Sequence, residues 1–98
     1  MPYRIEYSRE AIMHLRRLTA RERAIVLDTV DEQLTHEPTV ETQQRKEMLP
    51  NDLASWELRL GDLRVYYEVQ EAEQLVNVIA IGIKRRNRVF IGGVERQL

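Results

Sequence analysis

Residues 56–69 read Trp56-Glu57-Leu58-Arg59-Leu60-Gly61-Asp62-Leu63-Arg64-Val65-Tyr66-Tyr67-Glu68-Val69. Apolar Trp56, Leu58 and Leu60 alternate with Glu57 and Arg59; beyond Gly61-Asp62 the alternation resumes, Leu63, Val65, Tyr67 and Val69 against Arg64, Tyr66 and Glu68. A period of two gives a strand one apolar and one polar face. Two such runs around Gly-Asp predict a hairpin, with glycine at the first loop position as a II′ turn requires. A two-residue loop also fixes the register, setting Leu60 opposite Leu63, Arg59 opposite Arg64, Leu58 opposite Val65 and Glu57 opposite Tyr66.

On the C-terminal side, Leu75 to Ile81 is apolar except for Asn77, the pattern of a central strand covered on both faces. It completes a three-stranded antiparallel meander. Lys84, Arg85, Arg86 and Arg88 follow as a basic cluster past the end of that strand, then Val89-Phe90-Ile91, a Gly92-Gly93 break and a tail expected to be loosely held.

On the N-terminal side, Tyr3, Ile5 and Tyr7 alternate with Arg4, Glu6 and Ser8, which predicts a short first strand. Ser8 is a good helix N-cap, and Ala11, Leu15 and Leu18 recur at helical spacing, so a helix runs to about Leu18. Thr19-Ala20-Arg21-Glu22 has the spacing of a capping box, and Val26, Val30 and Leu34 carry a second helix to about His36, before Pro38. Residues 37–53 lose the pattern and read as a long connection in which Met48 and Leu49 are the candidate anchors. The expected fold is therefore α+β and a single domain over residues 1–98: an N-terminal strand, two antiparallel helices, then the three-stranded meander, with the helices on one sheet face and the other face open.

The 98 residues are 43% hydrophobic and 32% charged, enough for one core and too few for two. No cysteine is present, which excludes disulfides, a thiolate nucleophile and thiolate metal ligands. The opening residues lack an apolar core of the signal-peptide kind, and no run nears the ~20 residues of a membrane span; a cytoplasmic protein without membrane association is expected. Fifteen basic against sixteen acidic side chains argue against coating nucleic acid by bulk charge and direct attention to local patches.

Arg59 and Arg64 face each other across the predicted hairpin, and like charges so placed repel. Either Glu57 and Glu68 on the same face neutralise both, or at least one guanidinium is held for an anionic ligand such as a phosphate, which it can bind in a two-pronged manner. The meander brings Lys84 to the same side as Arg64, while the placement of Arg45-Lys46 in the connection stays open. His14 and His36 read as surface or helix-end residues, and the scattered carboxylates as a solvated face, so no metal site and no cofactor are expected. There is no glycine-rich phosphate loop and no G-x-S-x-G.

The hairpin string Leu58-Arg59-Leu60-Gly61-Asp62-Leu63-Arg64-Val65-Tyr66-Tyr67 resembles the core motif of the RelE/ParE superfamily of bacterial toxins, in particular its RelE-like branch. The opening Tyr-Arg-Ile-Glu-Tyr-Ser, the helix ending in His36-Glu37-Pro38, and Ile81-Gly82 followed by basic residues and Val89-Phe90 resemble that family in the same order, over nearly the whole chain. The resemblance implies a toxin of a type II toxin-antitoxin pair that enters the ribosomal A site and cuts messenger RNA without a metal, a ribose 2′-hydroxyl attacking the adjacent phosphate. It implies phosphate-stabilising roles for Arg64, Lys84 and Arg86. Arg45, Lys46, Arg59, Arg85, Arg88 and Phe90 become candidates for holding the RNA. Phe90 stands where RelE-like nucleases commonly have Tyr, and it lacks the hydroxyl.

The expected partners are a cognate antitoxin, with which the chain would form a hetero-oligomer, and the ribosome with its mRNA. Two alternatives come from the same resemblance: a ParE-like inhibitor of DNA gyrase, and a catalytically weak antitoxin-binding co-repressor.

Overall fold

The computed structural model describes residues 1–98. Strand β1 (Arg4–Tyr7) leads into helix α1 (Arg9–Arg17) and helix α2 (Ala20–Leu34). Strands β2 (Arg45–Glu47), β3 (Trp56–Leu60), β4 (Leu63–Gln70), β5 (Leu75–Arg85), β6 (Arg88–Ile91) and β7 (Val94–Arg96) follow, with one turn of 3₁₀ helix at Glu71–Glu73 between β4 and β5. No helix is long and apolar enough to cross a membrane.

The helices begin as their caps dictate. Ser8 Oγ accepts the Ala11 N–H at 3.0 Å, and Thr19 and Glu22 close a reciprocal capping box at 3.1 and 3.0 Å. Ala11 and Leu15 from α1, Leu18 just beyond it, and Val26, Val30 and Leu34 from α2 bury one helical stripe against Trp56, Leu58, Val65, Tyr67, Val76 and Val78 of the sheet. Tyr67 Oη donates to the Pro38 carbonyl at 2.6 Å, tying the exit of α2 to the sheet.

The expected α+β architecture is present, and the sheet is larger than the meander. Strands β2 to β7 form one antiparallel ladder in sequence order. The hairpin register is the one a two-residue loop demands, Arg59 against Arg64 and Leu60 against Leu63, with Gly61 at φ +60°. The 37–53 connection contains β2, and the stretch after Ile81 continues as strand: β5 runs on through Lys84 and Arg85, and Arg86-Asn87, both at positive φ, turn the chain into β6. The tail is not loose, because β7 pairs with β6 and Arg96 bonds Asp52 at 3.1 Å.

β5 is the spine. One edge pairs with β4; the other pairs in parallel with β1 over Leu75–Val78 and antiparallel with β6 over Gly82–Arg85. Between those partners the edge carries no strand. Side chains from the start and middle of α1 occupy the gap: Ser8 Oγ donates to the Ile79 carbonyl at 2.7 Å, and His14 Nδ1 accepts the Ile81 N–H at 3.2 Å. This corrects the reading of His14 as a surface residue, since a buried backbone N–H needs an acceptor and the ring supplies it.

A bulge opposite Tyr66 and Tyr67 switches the inward-facing residues of β5 from Val76 and Val78 to Ile81 and Ile83. The sheet face away from the helices is covered in part. Tyr66, Ala80, Ile91 and Ala54 form a second, smaller core, roofed by Met48 and Leu53.

Candidate functional site

Ladder pairing assigns each candidate residue to a face, because directly opposed residues share one. Two rows cross the face away from the helices: Lys46, Glu57, Tyr66, Ala80, and next to it Arg59, Arg64, Gly82, Ile91. A third row, Lys84, Val89, Arg96, lies toward the β5–β6 turn. Arg64, Lys84, Arg59 and Lys46 therefore share this face.

The two opposed arginines resolve their repulsion differently. Arg59 is half exposed and bonds Glu57 at 2.8 Å. Arg64 is only 9% exposed and has no carboxylate partner; its Nη1 donates to the carbonyls of Gly61 at 2.6 Å and Leu63 at 2.9 Å. Glu68 is engaged elsewhere, accepting the Ser55 N–H at 3.1 Å. A nearly buried guanidinium satisfied by carbonyl dipoles keeps its full charge, and its remaining N–H groups are not taken by protein acceptors. Opposite it stands Gly82, whose missing side chain makes room for Val89 and Ile91, the atoms of which would lie 3.2 Å from any β-carbon there, so the charge is flanked by packed apolar side chains. Lys84, two residues on, donates its backbone N–H to the Asp62 carbonyl at 2.7 Å and is thereby held against the β3–β4 turn.

A groove of about 690 Å³ runs along the same face, walled by Lys46, Glu57, Arg59, Tyr66, Arg88 and Arg96 among others. Tyr66 is fully buried and its Oη has no hydrogen-bond partner. Burial, and then the charge of Glu57, push its phenol well above the usual range, so it stays protonated at any physiological pH. Neither Tyr66 nor Glu57 was singled out as a site residue from the sequence. The signal available was the register, which already placed Glu57 and Tyr66 side by side with the arginines.

The remaining candidates lie elsewhere. Arg45 pairs with Leu58 on the helix side, where Nη1 bonds the Gln33 carbonyl at 2.8 Å and Gln33 Oε1 at 2.9 Å, and Nε bonds the Val40 carbonyl at 2.9 Å. Its neighbour Lys46 points the other way. Phe90 pairs with Ile83 and faces α1, so neither it nor any hydroxyl in its place would reach Arg64 from this register. Arg85 pairs with Arg88 at the end of the sheet; Arg85 lies on the Phe90 side, Arg88, 3.8 Å from Glu95, borders both that side and the groove, and Arg86 stands exposed at the turn between the faces. No three His, Asp or Glu side chains gather as a metal-ligating group.

The arrangement as a whole sets two helices on one side of a mostly antiparallel sheet and gathers Arg64, Lys84, Arg59 and Lys46 on the other. It matches the crystal structure of the toxin-antitoxin complex RelBE2 from Mycobacterium tuberculosis with a TM-score of 0.75, at 20% sequence identity, over 86% of this chain and 93% of that one. Residues 5–88 match the model of the ParE toxin of the type II toxin-antitoxin system parDE, and the chain belongs to that family, within the RelE/ParE superfamily. No curated protein sequence matches it.

Proposed function

We propose that this type II toxin stops translation by cutting messenger RNA on the ribosome, in the cytoplasm, without a metal ion. The observation that carries the reading is Arg64: a nearly buried guanidinium without a carboxylate, on the face that also presents Lys84 and Lys46. In the reaction a ribose 2′-oxygen forms a bond to the adjacent phosphorus, the P–O5′ bond breaks, and a 2′,3′-cyclic phosphate and a 5′-hydroxyl end result. Charge gathers on the non-bridging oxygens of the five-coordinate phosphorus, where Arg64 and Lys84 offset it. Arg86 adds a cation at the turn; Glu57 takes the 2′-hydroxyl proton, and solvent water supplies one to the departing 5′-oxygen. Arg59 and Lys46 flank the RNA backbone. The partner that restrains the toxin is an antitoxin, supported by the family and by the complex its structural neighbour forms.

The test adds purified protein to a cell-free translation reaction and maps mRNA 5′ ends by primer extension, with and without ribosomes, using Arg64→Ala as control. Arg64-dependent cuts confined to translated mRNA are expected; intact mRNA overturns the reading. A second reading, inhibition of DNA gyrase by protein contact, is favoured by the family matched and by the turning away of Phe90. It predicts intact mRNA together with loss of gyrase supercoiling activity.

A further inference from the structure

On the opposite side of the sheet, between α1 and the β5–β6 hairpin, lies a hollow of about 350 Å³ that the RNA-cutting face does not use. Its floor is apolar, made by Leu18, Ile81, Ile83 and the partly buried Phe90 ring. Its rim is cationic. Arg17 and Arg85 both border it, and neither makes an ion pair or a side-chain hydrogen bond. Because His14 Nδ1 accepts the Ile81 N–H, the neutral ring carries its proton on Nε2, a donor at the same rim. The charge of Glu10 acts on the imidazole, and its carboxylate bonds none of these cations.

Two glycines keep the donors uncovered. Gly92 and Gly93 adopt φ +61° and +82°, and a side-chain carbon would stand 3.2 Å from His14 Nε2 at the first and 2.7 Å from Arg17 Nη2 at the second. Any other residue there would cover or displace the groups that could hold an anion.

We infer that this hollow binds a nucleotide, the base against Phe90 and the phosphate between Arg17, Arg85 and the His14 Nε2–H. Two guanidiniums and an N–H converging on one hollow suit a single group with several acceptor oxygens and about two negative charges, as phosphate has. An aromatic ring in an apolar floor suits a base, which any sequence offers as a stacking face. An amphipathic helix of a partner protein would need a longer apolar groove with several anchors a turn apart. The ligand is a nucleoside phosphate, free or as one residue of an RNA strand passing over the Arg86-Asn87 turn.

The test titrates ¹⁵N-labelled protein with adenosine 5′-monophosphate, adenosine, inorganic phosphate, hexaadenylate and hexaglutamate. The nucleotide is expected to shift the Ile81, Gly92 and Gly93 amides and the His14 ring nitrogens, and to bind about ten-fold or more tightly than adenosine or phosphate alone. Arg17→Gln with Arg85→Gln weakens it about ten-fold or more, Phe90→Leu weakens the nucleotide but not phosphate, and Arg64→Gln retains it. Matching shifts with hexaadenylate assign the site to an RNA strand; shifts with the mononucleotide alone assign it to a free nucleotide. Shifts confined to the Arg64 face, phosphate binding as tightly as the nucleotide, or hexaglutamate replacing the nucleotide at the hollow each overturn the inference. Because Arg64→Gln separates the faces, failure here leaves the cleavage reading standing, and the reverse.

Discussion

His14 Nδ1 accepts the backbone N–H of Ile81 at 3.2 Å, so a helix side chain stands where a neighbouring strand would otherwise pair with β5. The bond requires the neutral ring. Burial lowers the basicity of His14, with Arg17 adding to the effect and Glu10 opposing it. The folded state thus binds a proton less readily than the unfolded chain, and the stabilisation is complete above the ordinary histidine pKa and lost as pH falls below it. Between pH 7.5 and 5.5 the wild type should lose stability that His14→Ala does not lose, and at pH 7.5 His14→Ala should cost about 1 kcal/mol in urea unfolding.

Arg64→Ala should reduce mRNA cleavage about 100-fold or more, the order seen when one donor to a transition-state charge is removed, with the fold retained in thermal melts. Arg64→Lys should recover only part of the activity, since an ammonium cannot hold the Gly61 and Leu63 carbonyls and still present a planar fork. A variant that fails to fold would make Arg64 a structural residue.

The adjacent residues Arg45 and Lys46 should behave oppositely. Arg45→Ala removes three hydrogen bonds to Gln33 and Val40 and is expected to destabilise by about 1–2 kcal/mol. Lys46→Ala should leave stability within about 0.5 kcal/mol and weaken toxicity in a growth-arrest assay. Equal effects of the two on stability would contradict the assignment to opposite faces.

Tyr66 and Tyr67 make a second opposed pair. Tyr67→Phe strands the buried Pro38 carbonyl and should cost about 1–2 kcal/mol. Tyr66→Phe deletes a buried hydroxyl that bonds nothing and should be neutral or stabilising by up to about 1 kcal/mol. Parallel denaturant melts compare them directly; a destabilised Tyr66→Phe would show that the hydroxyl has a partner, with Glu57 the nearest.

Local pattern carried the helices and the hairpin because their determinants are local. The caps at Ser8 and Thr19 and the Gly61-Asp62 loop act within three or four residues, and the register that follows puts Arg59 against Arg64. What escaped was set by distant chain. β2 is three residues long and has no alternation to announce it, existing because β3 offers an edge. β6 starts inside a run of basic residues whose turn depends on Arg86 and Asn87 accepting positive φ, and β7 lies beyond Gly92-Gly93, a break that reads as the end of the fold. His14 was unreadable for the same reason: its partner lies 67 residues away. For the candidate site, Arg64 and Lys84 came together as the meander required, whereas the turn of Phe90 toward α1 follows from a pairing with Ile83 that no composition reveals.

The gap in the β5 edge also bears on how the chain acquires its shape during synthesis. β1 and the cap of α1 find their partners only at Leu75–Ile79, 71 residues later for Ser8 and Ile79. As the nascent chain emerges from its N-terminus, the first strand must wait, unpaired, until most of the protein has been made. Arg64 precedes the strand that supplies Gly82 and Lys84, so the cationic face is also assembled last. A toxin of this topology has no armed fragment: a truncated or stalled product stopping before β5 lacks both its sheet spine and its site.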